Sequence, residues 1–450
     1  MIKNMLSCLA AQPPAPIITD QAKIKKEYKK WRFQILTSMM FGYAMFYFCR
    51  KNFSMAMPYF LSELGYTKTD LGLILTLFSI VYGVSKFCSG MLSDRSNARY
   101  FMALGLILSA FMNIAFGLSS SMIFFGVFWI ANAWFQGMGW PPCARLLTHW
   151  FSPTELGTKW GIWNASHQVG GAGILILAGW LIPHYGWRSA FFVPAAIAVV
   201  SAIFLMVMLR DTPQSMGLPP VEKHRGDAKC DDHECDDNAA SFKEIFFQYI
   251  IKNRLLWIIC FANIFVYIVR IGVLDWAPTF LVEAKGASLM NAGIITAISE
   301  VVGIAGAIGA GWFSDTLFKG RRGPVNVIFM ILVIAAIFGL WKVPVGSQVL
   351  ATIYLVAVKF LIYGPQMLVG VAAADFASKR AAATATGLTG TFGYVGSAIC
   401  GVGTGLVVDK WGWDGGFIFF IAAAVIGTFL FLFTWKARAA SLEAHHNSKK

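Results

Sequence analysis

Apolar residues along this chain fall in runs of about twenty, the length that carries a helix across the hydrocarbon of a bilayer. Each run is bounded by charge, proline or glycine, and the runs lie near 32–58, 70–94, 100–119, 122–148, 158–182, 187–209, 254–282, 290–315, 324–342, 346–374, 382–408 and 413–436. One long polar interval, 210–253, separates the first six from the last six; it holds Pro213, Pro219, Pro220 and the run Glu222 to Asp237. The pattern predicts an all-α membrane protein with twelve transmembrane helices. Its parts are an N-terminal segment at 1–31, a six-helix bundle at 32–209, a linker at 210–253, a second six-helix bundle at 254–436 and a tail at 437–450.

Composition agrees with this and removes the competing classes. Of 450 residues 57% are hydrophobic and 13% charged, against roughly 25% charged in a soluble domain, which excludes an ordinary soluble enzyme. The net charge of +14 suits either nucleic acid or the cationic cytoplasmic loops of a membrane protein. Its distribution favours the second. Sorted by the span list, 26 of the 37 basic residues fall on the side that holds both termini, the linker and the loops with Arg95, Arg99, Lys159, Lys319, Arg321, Arg322, Lys379 and Arg380. The opposite loops hold only Lys68, Arg188, Lys285, Lys342 and Lys410. Both termini are therefore expected in the cytoplasm. Residues Met1 to Ile18 are too short and proline-rich for a secretory signal, so the first helix is expected to insert uncleaved. The eight cysteines lack a framework spacing and are expected as free thiols. Cys230, His233 and Cys235 form one close cluster, but in an acidic stretch that reads as a solvated linker; neither metal nor organic cofactor is expected.

The two halves repeat each other. Gly90-x-x-x-Asp94-Arg95…Arg99 recurs as Gly311-x-x-x-Asp315…Arg321-Arg322 at an offset of 221, and Tyr47-x-x-Arg50 recurs as Tyr267-x-x-Arg270 at an offset of 220. Tyr185-Gly-Trp187 recurs as Trp411-Gly-Trp413 at 226. Two such six-helix repeats, with an acidic–basic loop after the second helix of each, resemble the major facilitator transporters. Asp94, Arg95, Arg99, Asp315 and Arg322 are read as latches between cytoplasmic helix ends rather than as substrate ligands.

An ionisable side chain inside a span costs roughly 2.5–3.5 kcal/mol even on the mildest scale, so each needs a reason. The basic ones are Arg50, Lys51, Lys86, Arg145, Arg270 and Lys359, and the acidic ones are Asp275 and Glu300, with His167 a neutral candidate. Arg50 and Arg270 occupy equivalent positions of the two repeats, which predicts a pair of guanidiniums on opposite walls of one cavity. Phosphate fits them best, because paired N–H donors match its oxygens. Arg50, Lys51, Lys86 and Arg270 set against Asp275 and Glu300 leave two positive charges in excess, about the charge of a phosphate monoester near neutral pH. The alternative is that these cations only pair with acids to hold the bundle. Tyr43, Tyr47 and Arg50 share one helix face, as do Tyr82 and Lys86. Tyr267, Tyr363 and Tyr394 lie mid-span and are read as cavity-lining or as packing. Lys359 precedes Tyr363 by one turn and is expected to face the cavity, where its ammonium would meet a second part of the substrate.

The motifs Phe41-Gly-Tyr…Tyr47-x-x-Arg50-Lys51-Asn52-Phe53, Tyr82-Gly-x-Ser-Lys86-Phe87, Phe135-Gln-Gly-Met-Gly-Trp-Pro-Pro142, Trp163-Asn…His167, Arg210-Asp-Thr-Pro-Gln214, Val266-Tyr-x-x-Arg270…Asp275-Trp276 and Tyr363-Gly-Pro365 resemble the organophosphate:phosphate antiporter family from about residue 28 to 436. The resemblance implies that Arg50 and Arg270 bind the phosphoryl group with Lys86 and His167 nearby. It also implies that Lys51, Asp275 and Glu300 form salt bridges that rearrange during transport, and that Tyr267, Tyr363 and Tyr394 line the path. The stretches Ser93 to Met102 and Pro142 to Thr148 are more similar to the glucose-6-phosphate sensor branch, which includes hexose-phosphate transporters, and Gly137 to Pro142 to the glycerol-3-phosphate branch. Thr386 and Thr389 stand where the enterobacterial hexose-phosphate transporter carries an acid and a lysine. Gln168 and Lys359 also depart from the family pattern.

The expected activity is exchange of a sugar phosphate, hexose 6-phosphate first, for inorganic phosphate across a bacterial inner membrane by a monomer. The alternatives are a glycerol-3-phosphate exchanger, a proton-coupled symporter, and a membrane receptor that signals to a sensor kinase. No nucleophile and base pair supports an enzyme.

Overall fold

The computed structural model describes residues 10, 12–94, 96–225, 251–376 and 382–437. Among them the regular structure is helical apart from an isolated bridge between Ala10 and Ser96. The helices are α1 (Gln21–Glu63), α2 (Lys68–Asp94), α3 (Ala98–Leu118), α4 (Met122–Gln136), α5 (Trp140–Trp150), α6 (Pro153–Tyr185), α7 (Ser189–Met208), the short α8 (Val221–Arg225), α9 (Arg254–Lys285), α10 (Leu289–Thr316), α11 (Arg322–Lys342), α12 (Gln348–Phe376) and α13 (Ala382–Leu432). Among the described residues ten stretches are long and apolar enough to cross a membrane, with α4 and α5 counted together as one.

Three departures from the apolar pattern have local causes. Helix α1 has 43 residues, about 65 Å at 1.5 Å per residue, well beyond one bilayer crossing. It starts inside the segment expected to precede the first span. The Asp20 carboxylate accepts from the amides of Ala22 and Lys23, and Ile24, Tyr28, Trp31 and Ile35 bury one stripe at helical spacing. Tyr28 also donates to the carbonyl of Pro219 and stacks on His224 at 4.0 Å.

The run at 122–148 breaks into α4 and α5 at Gly137–Gly139. Pro141 and Pro142 have no N–H to continue the ladder. Gly137 also lets α4 press on α2, since a Cβ there would fall 2.4 Å from the Ser85 hydroxyl. Helix α13 is helical across the predicted boundary between the last two runs, except at Gly412, whose φ of 64° and ψ of −170° suit a residue without Cβ.

The chain forms two compact units, 1–53 with 81–236 and 54–80 with 237–450. The last turns of α1 and the first half of α2 thus belong to the second unit. In the first unit, α1, α3, α5, α6 and α7 share an apolar core that includes Met39, Phe46, Leu106, Trp150, Trp163 and Leu205. Buried amides lie in its middle. Asn113 and Asn132 both donate to the Cys49 carbonyl, Gln136 donates to that of Phe46, and Asn52 donates to Asn113 Oδ1. The carbonyls just before Arg50 are thereby held by side chains from α3 and α4, and such buried polar networks fix one arrangement when their members are satisfied. Arg145, one of the basic residues predicted inside a span, pairs through Nε with the buried Asp211 at 3.1 Å. Asp211 also caps the start of α3 by accepting from the Ala98 amide at 3.0 Å.

The second unit packs α9 on α13 and α10 on α12 through small residues. A Cβ at Gly306 would sit 1.8 Å from the Phe360 carbonyl oxygen, and one at Gly396 2.2 Å from that of Ile264, so both helix pairs meet backbone to backbone. The first half of α2 lies along α13 in the same manner. Thr76 donates to the Ala398 carbonyl at 2.6 Å, Asp409 accepts from the Thr69 amide at 2.7 Å, and Lys68 pairs with Glu283 at 3.1 Å. Among the described residues Cys49, Cys88, Cys143, Cys260 and Cys400 are free thiols, as expected. Cys230, His233 and Cys235 lie outside the described residues.

Candidate functional site

In the first unit the predicted cations rest on aromatic rings. Tyr43, Tyr47 and Arg50 share a face of α1, and the Arg50 guanidinium carbon lies 5.6 Å from the centroid of Tyr47 and 4.3 Å from that of Tyr82 on α2. Lys86, one turn along α2 from Tyr82, sets its Nζ 4.4 Å over Trp140. His167 on α6 is 5.6 Å from the Tyr47 ring, and Tyr43 is 4.9 Å from Trp163. Trp140, Trp160 and Trp163 pack edge to face with one another. A ring face offers a cation negative potential without a formal charge, worth about 0.5–2 kcal/mol. Such a contact orients the cation and brings no opposite formal charge of its own. Lys51, beside Arg50, is half-buried.

Sequence reasoning placed Tyr43, Tyr47, Tyr82 and His167 near these cations but overlooked Trp140 and Trp160. The only signal was their position, at the Gly-Trp-Pro-Pro break and one turn before the Trp163-x-x-x-His167 face.

The second unit mounts its arginine between two tyrosines. The Arg270 guanidinium carbon on α9 is 5.4 Å from the Tyr267 ring and 5.2 Å from that of Tyr363 on α12. Tyr394 on α13 meets Tyr267 edge to face at 6.3 Å. Room for these rings comes from glycine, because a Cβ at Gly393 would fall 2.8 Å from the Tyr267 ring and one at Gly303 2.6 Å from that of Tyr363. Tyr363 donates to Glu300 Oε2 at 2.8 Å, and Lys359 reaches Glu300 Oε1 at 3.1 Å. Lys359 was expected to line the cavity. It shares a helix face with Tyr363 as the spacing predicts, yet it has no exposed surface and is directed at Glu300. Asp275 lies farther along α9 and is half-buried.

The predicted loop latches are present in part. Arg322 pairs with Asp315 and, through Nε, with Asp375 at 3.0 Å, which ties the ends of α10, α11 and α12. The sequence reading did not single out Asp375; an acid at the end of an apolar run was its only mark. Arg99 donates to the Met206 carbonyl. Arg95 and the side chain of Asp94 lie outside the described residues. Among the described residues no group of three or more metal-ligating side chains occurs.

This arrangement occurs in a chain with clear relatives. The profile of the Major Facilitator Superfamily matches residues 39–401. A probable hexose phosphate transport protein of Chlamydia trachomatis is 46% identical over 450 residues, covering 96% of this chain and 98% of that protein. A glycerol-3-phosphate transporter of Bacillus subtilis is 47% identical, covering 94% and 97%, and the membrane sensor protein UhpC of Escherichia coli is 43% identical, covering 95% and 98%. The crystal structure of a bacterial homologue of the human lysosomal transporter Spinster, inward-facing and unoccupied, superposes with a TM-score of 0.75 over 90% of this chain and 97% of that one, at 17% identity; that likeness concerns the fold. The chain is a multi-pass membrane protein of the major facilitator superfamily and belongs, within it, to the organophosphate:phosphate antiporter family.

Proposed function

We propose that this protein exchanges a sugar phosphate, hexose 6-phosphate first, for inorganic phosphate across a bacterial inner membrane. Twelve spans in two six-helix bundles, with both termini and the linker cytoplasmic, alternate access to a substrate held by Arg50 and Arg270. The observation that carries this reading is the repeat itself. Two arginines at one offset of 220 are each braced by two tyrosine rings. Ring faces that orient a planar guanidinium suit recognition of a phosphoryl group. Lys86 and His167 would assist, Lys51 and Asp275 would exchange salt-bridge partners during the cycle, and Asp315–Arg322 would hold cytoplasmic helix ends. Obligate exchange follows from charge. A substrate-free site with an excess of positive charge resists occlusion, and phosphate on either side removes that barrier.

The relative of Chlamydia supports hexose phosphate, and that of Bacillus keeps glycerol 3-phosphate as the second substrate. The likeness to a membrane sensor supports a further reading, binding without useful turnover. Proteoliposomes loaded with phosphate decide among them. Uptake of glucose 6-phosphate should exceed that of glycerol 3-phosphate, should require internal phosphate, and should be unchanged when a protonophore dissipates the proton gradient at fixed pH. Uptake into phosphate-free vesicles driven by external acid would establish a symporter instead, and binding without flux a sensor.

A further inference from the structure

Lys359 has no exposed surface, and a lysine buried in a membrane helix requires an anion beside it. That anion is Glu300 on α10, itself only 4% exposed. The two carboxylate oxygens are divided between two residues one turn apart on α12, with Lys359 Nζ at 3.1 Å from Oε1 and the Tyr363 hydroxyl at 2.8 Å from Oε2. The Tyr363 ring in turn lies 5.2 Å from the guanidinium carbon of Arg270. Ammonium, carboxylate, phenol and guanidinium therefore form one chain of contacts that runs from the buried interior of the second unit to the predicted phosphate ligand.

A carboxylate one tyrosine removed from Arg270 is a competitor for it. An acid that is neutralised in place exerts little pull, whereas a bare buried carboxylate would draw the nearest cation and oppose an incoming phosphate. We infer that Lys359 is a positioning residue for phosphate binding: by holding Glu300 as a neutral pair it weakens the hold of that acid on Arg270 in favour of the substrate. The inference rests on the reading of Arg270 as a phosphate ligand, and it gives Lys359 a part in binding every substrate rather than the remote end of one.

The test is homologous phosphate–phosphate exchange by the full chain in proteoliposomes, with KM and maximal rate measured separately for wild type, Lys359→Met and the double variant Lys359→Met with Glu300→Gln. Lys359→Met should raise KM about 10- to 30-fold for phosphate and by the same factor for hexose 6-phosphate, the scale of one hydrogen bond to a charged group. The double variant, which removes the competing charge, should return KM to within about 3-fold of wild type, as expected for coupled neighbours. Three results would overturn the inference: a loss confined to hexose 6-phosphate, a fall in maximal rate without a change in KM, or a double variant no better than the single one. If Lys359→Met does not fold, the double variant alone decides, because a KM raised about 10-fold or more in a folded, charge-free pair contradicts the role. Failure of the underlying reading looks different, since wild type would then exchange no phosphate or Arg270→Lys would retain it.

Discussion

The two units solve one problem in different ways. Each holds an arginine on a membrane helix, and on the proposed function each must present it to an anion. The first unit sets Arg50 and Lys86 against ring faces, and it also contains the acid–base pairs Arg145–Asp211 and Arg32–Glu155–Arg225. The second unit also braces its arginine with tyrosines but brings an acid within one residue of it, Glu300 through Tyr363, and balances that acid with Lys359. Repeats that match at Tyr47/Tyr267 and Arg50/Arg270 have thus diverged in what surrounds the matched residues. On the proposed function an aromatic brace would direct a guanidinium toward the anion without adding a formal charge. In the second unit the ring contact continues into an ammonium–carboxylate pair, Lys359 with Glu300.

The largest effects should come from the arginines, where the units are expected to agree. Arg50→Lys and Arg270→Lys each keep a positive charge but lose the planar fork, and exchange should fall roughly 100-fold or more in both at normal membrane levels. Initial rates of phosphate exchange in proteoliposomes check this. A mild loss in one variant and a full loss in the other would show that the braces differ in function as well as composition.

Pairs outside the site should govern stability alone. Arg145→Met strips the cationic partner from a carboxylate with no exposed surface, Asp211, and should cost about 3–5 kcal/mol of stability. Thermal unfolding in detergent measures the loss. The KM for phosphate of the surviving protein should stay at the wild-type value, and a raised KM would mean that the first unit too couples an acid to its arginine.

The aromatic brace predicts a smaller effect. Tyr82→Leu removes the ring face 4.3 Å from Arg50, and since such a face is worth about 0.5–2 kcal/mol, the KM for phosphate should rise roughly 2- to 30-fold. Tyr82→Phe keeps the ring and should stay near wild type. Equal losses in both variants would transfer the role from the ring face to the hydroxyl.

How far the sequence anticipates these features depends on their range. The span list follows from local hydropathy, so α2, α3, α6, α7 and α9 to α12 fall where the apolar runs are. Break points at Gly137–Gly139 and Gly412 were written as a Gly-Trp-Pro-Pro run in one case and as a gap between runs in the other. The early start of α1 was hidden by its charged residues, which mask the stripe Ile24, Tyr28, Trp31 and Ile35. The cations of the site were legible because charge inside an apolar run is costly. What they touch was not. Lys359 and Glu300 are 59 residues apart, and no local pattern says that one lysine meets an acid of another helix rather than a ligand. The same holds for Asn113 and Asn132 on the Cys49 carbonyl, where helix packing alone brings donor and acceptor together.

The smallest expected effect lies at the charged end of the first unit. Glu155 accepts from Arg32 and, at 3.1 Å, from Arg225, and its carboxylate also receives the Ser152 amide. Burial alone would push its pKa up, but the hydrogen bond and charge of Arg32, the Ser152 amide and the charge of Arg225 together hold it below the usual value. A carboxyl with a lowered pKa in the folded state stabilises the protein above its unfolded pKa of about 4.3, and that contribution disappears as pH falls through the lowered folded value. Glu155→Gln should therefore cost stability at pH 7, by less than about 1 kcal/mol because the pair is partly solvated and screened by salt. The difference between wild type and variant should shrink as the pH is taken below about 4.3, where the unfolded carboxyl is already protonated. Melting temperatures of both proteins in one detergent at several pH values test this, and a difference that grows toward acid would show that Arg32 and Arg225 repel each other more than Glu155 joins them.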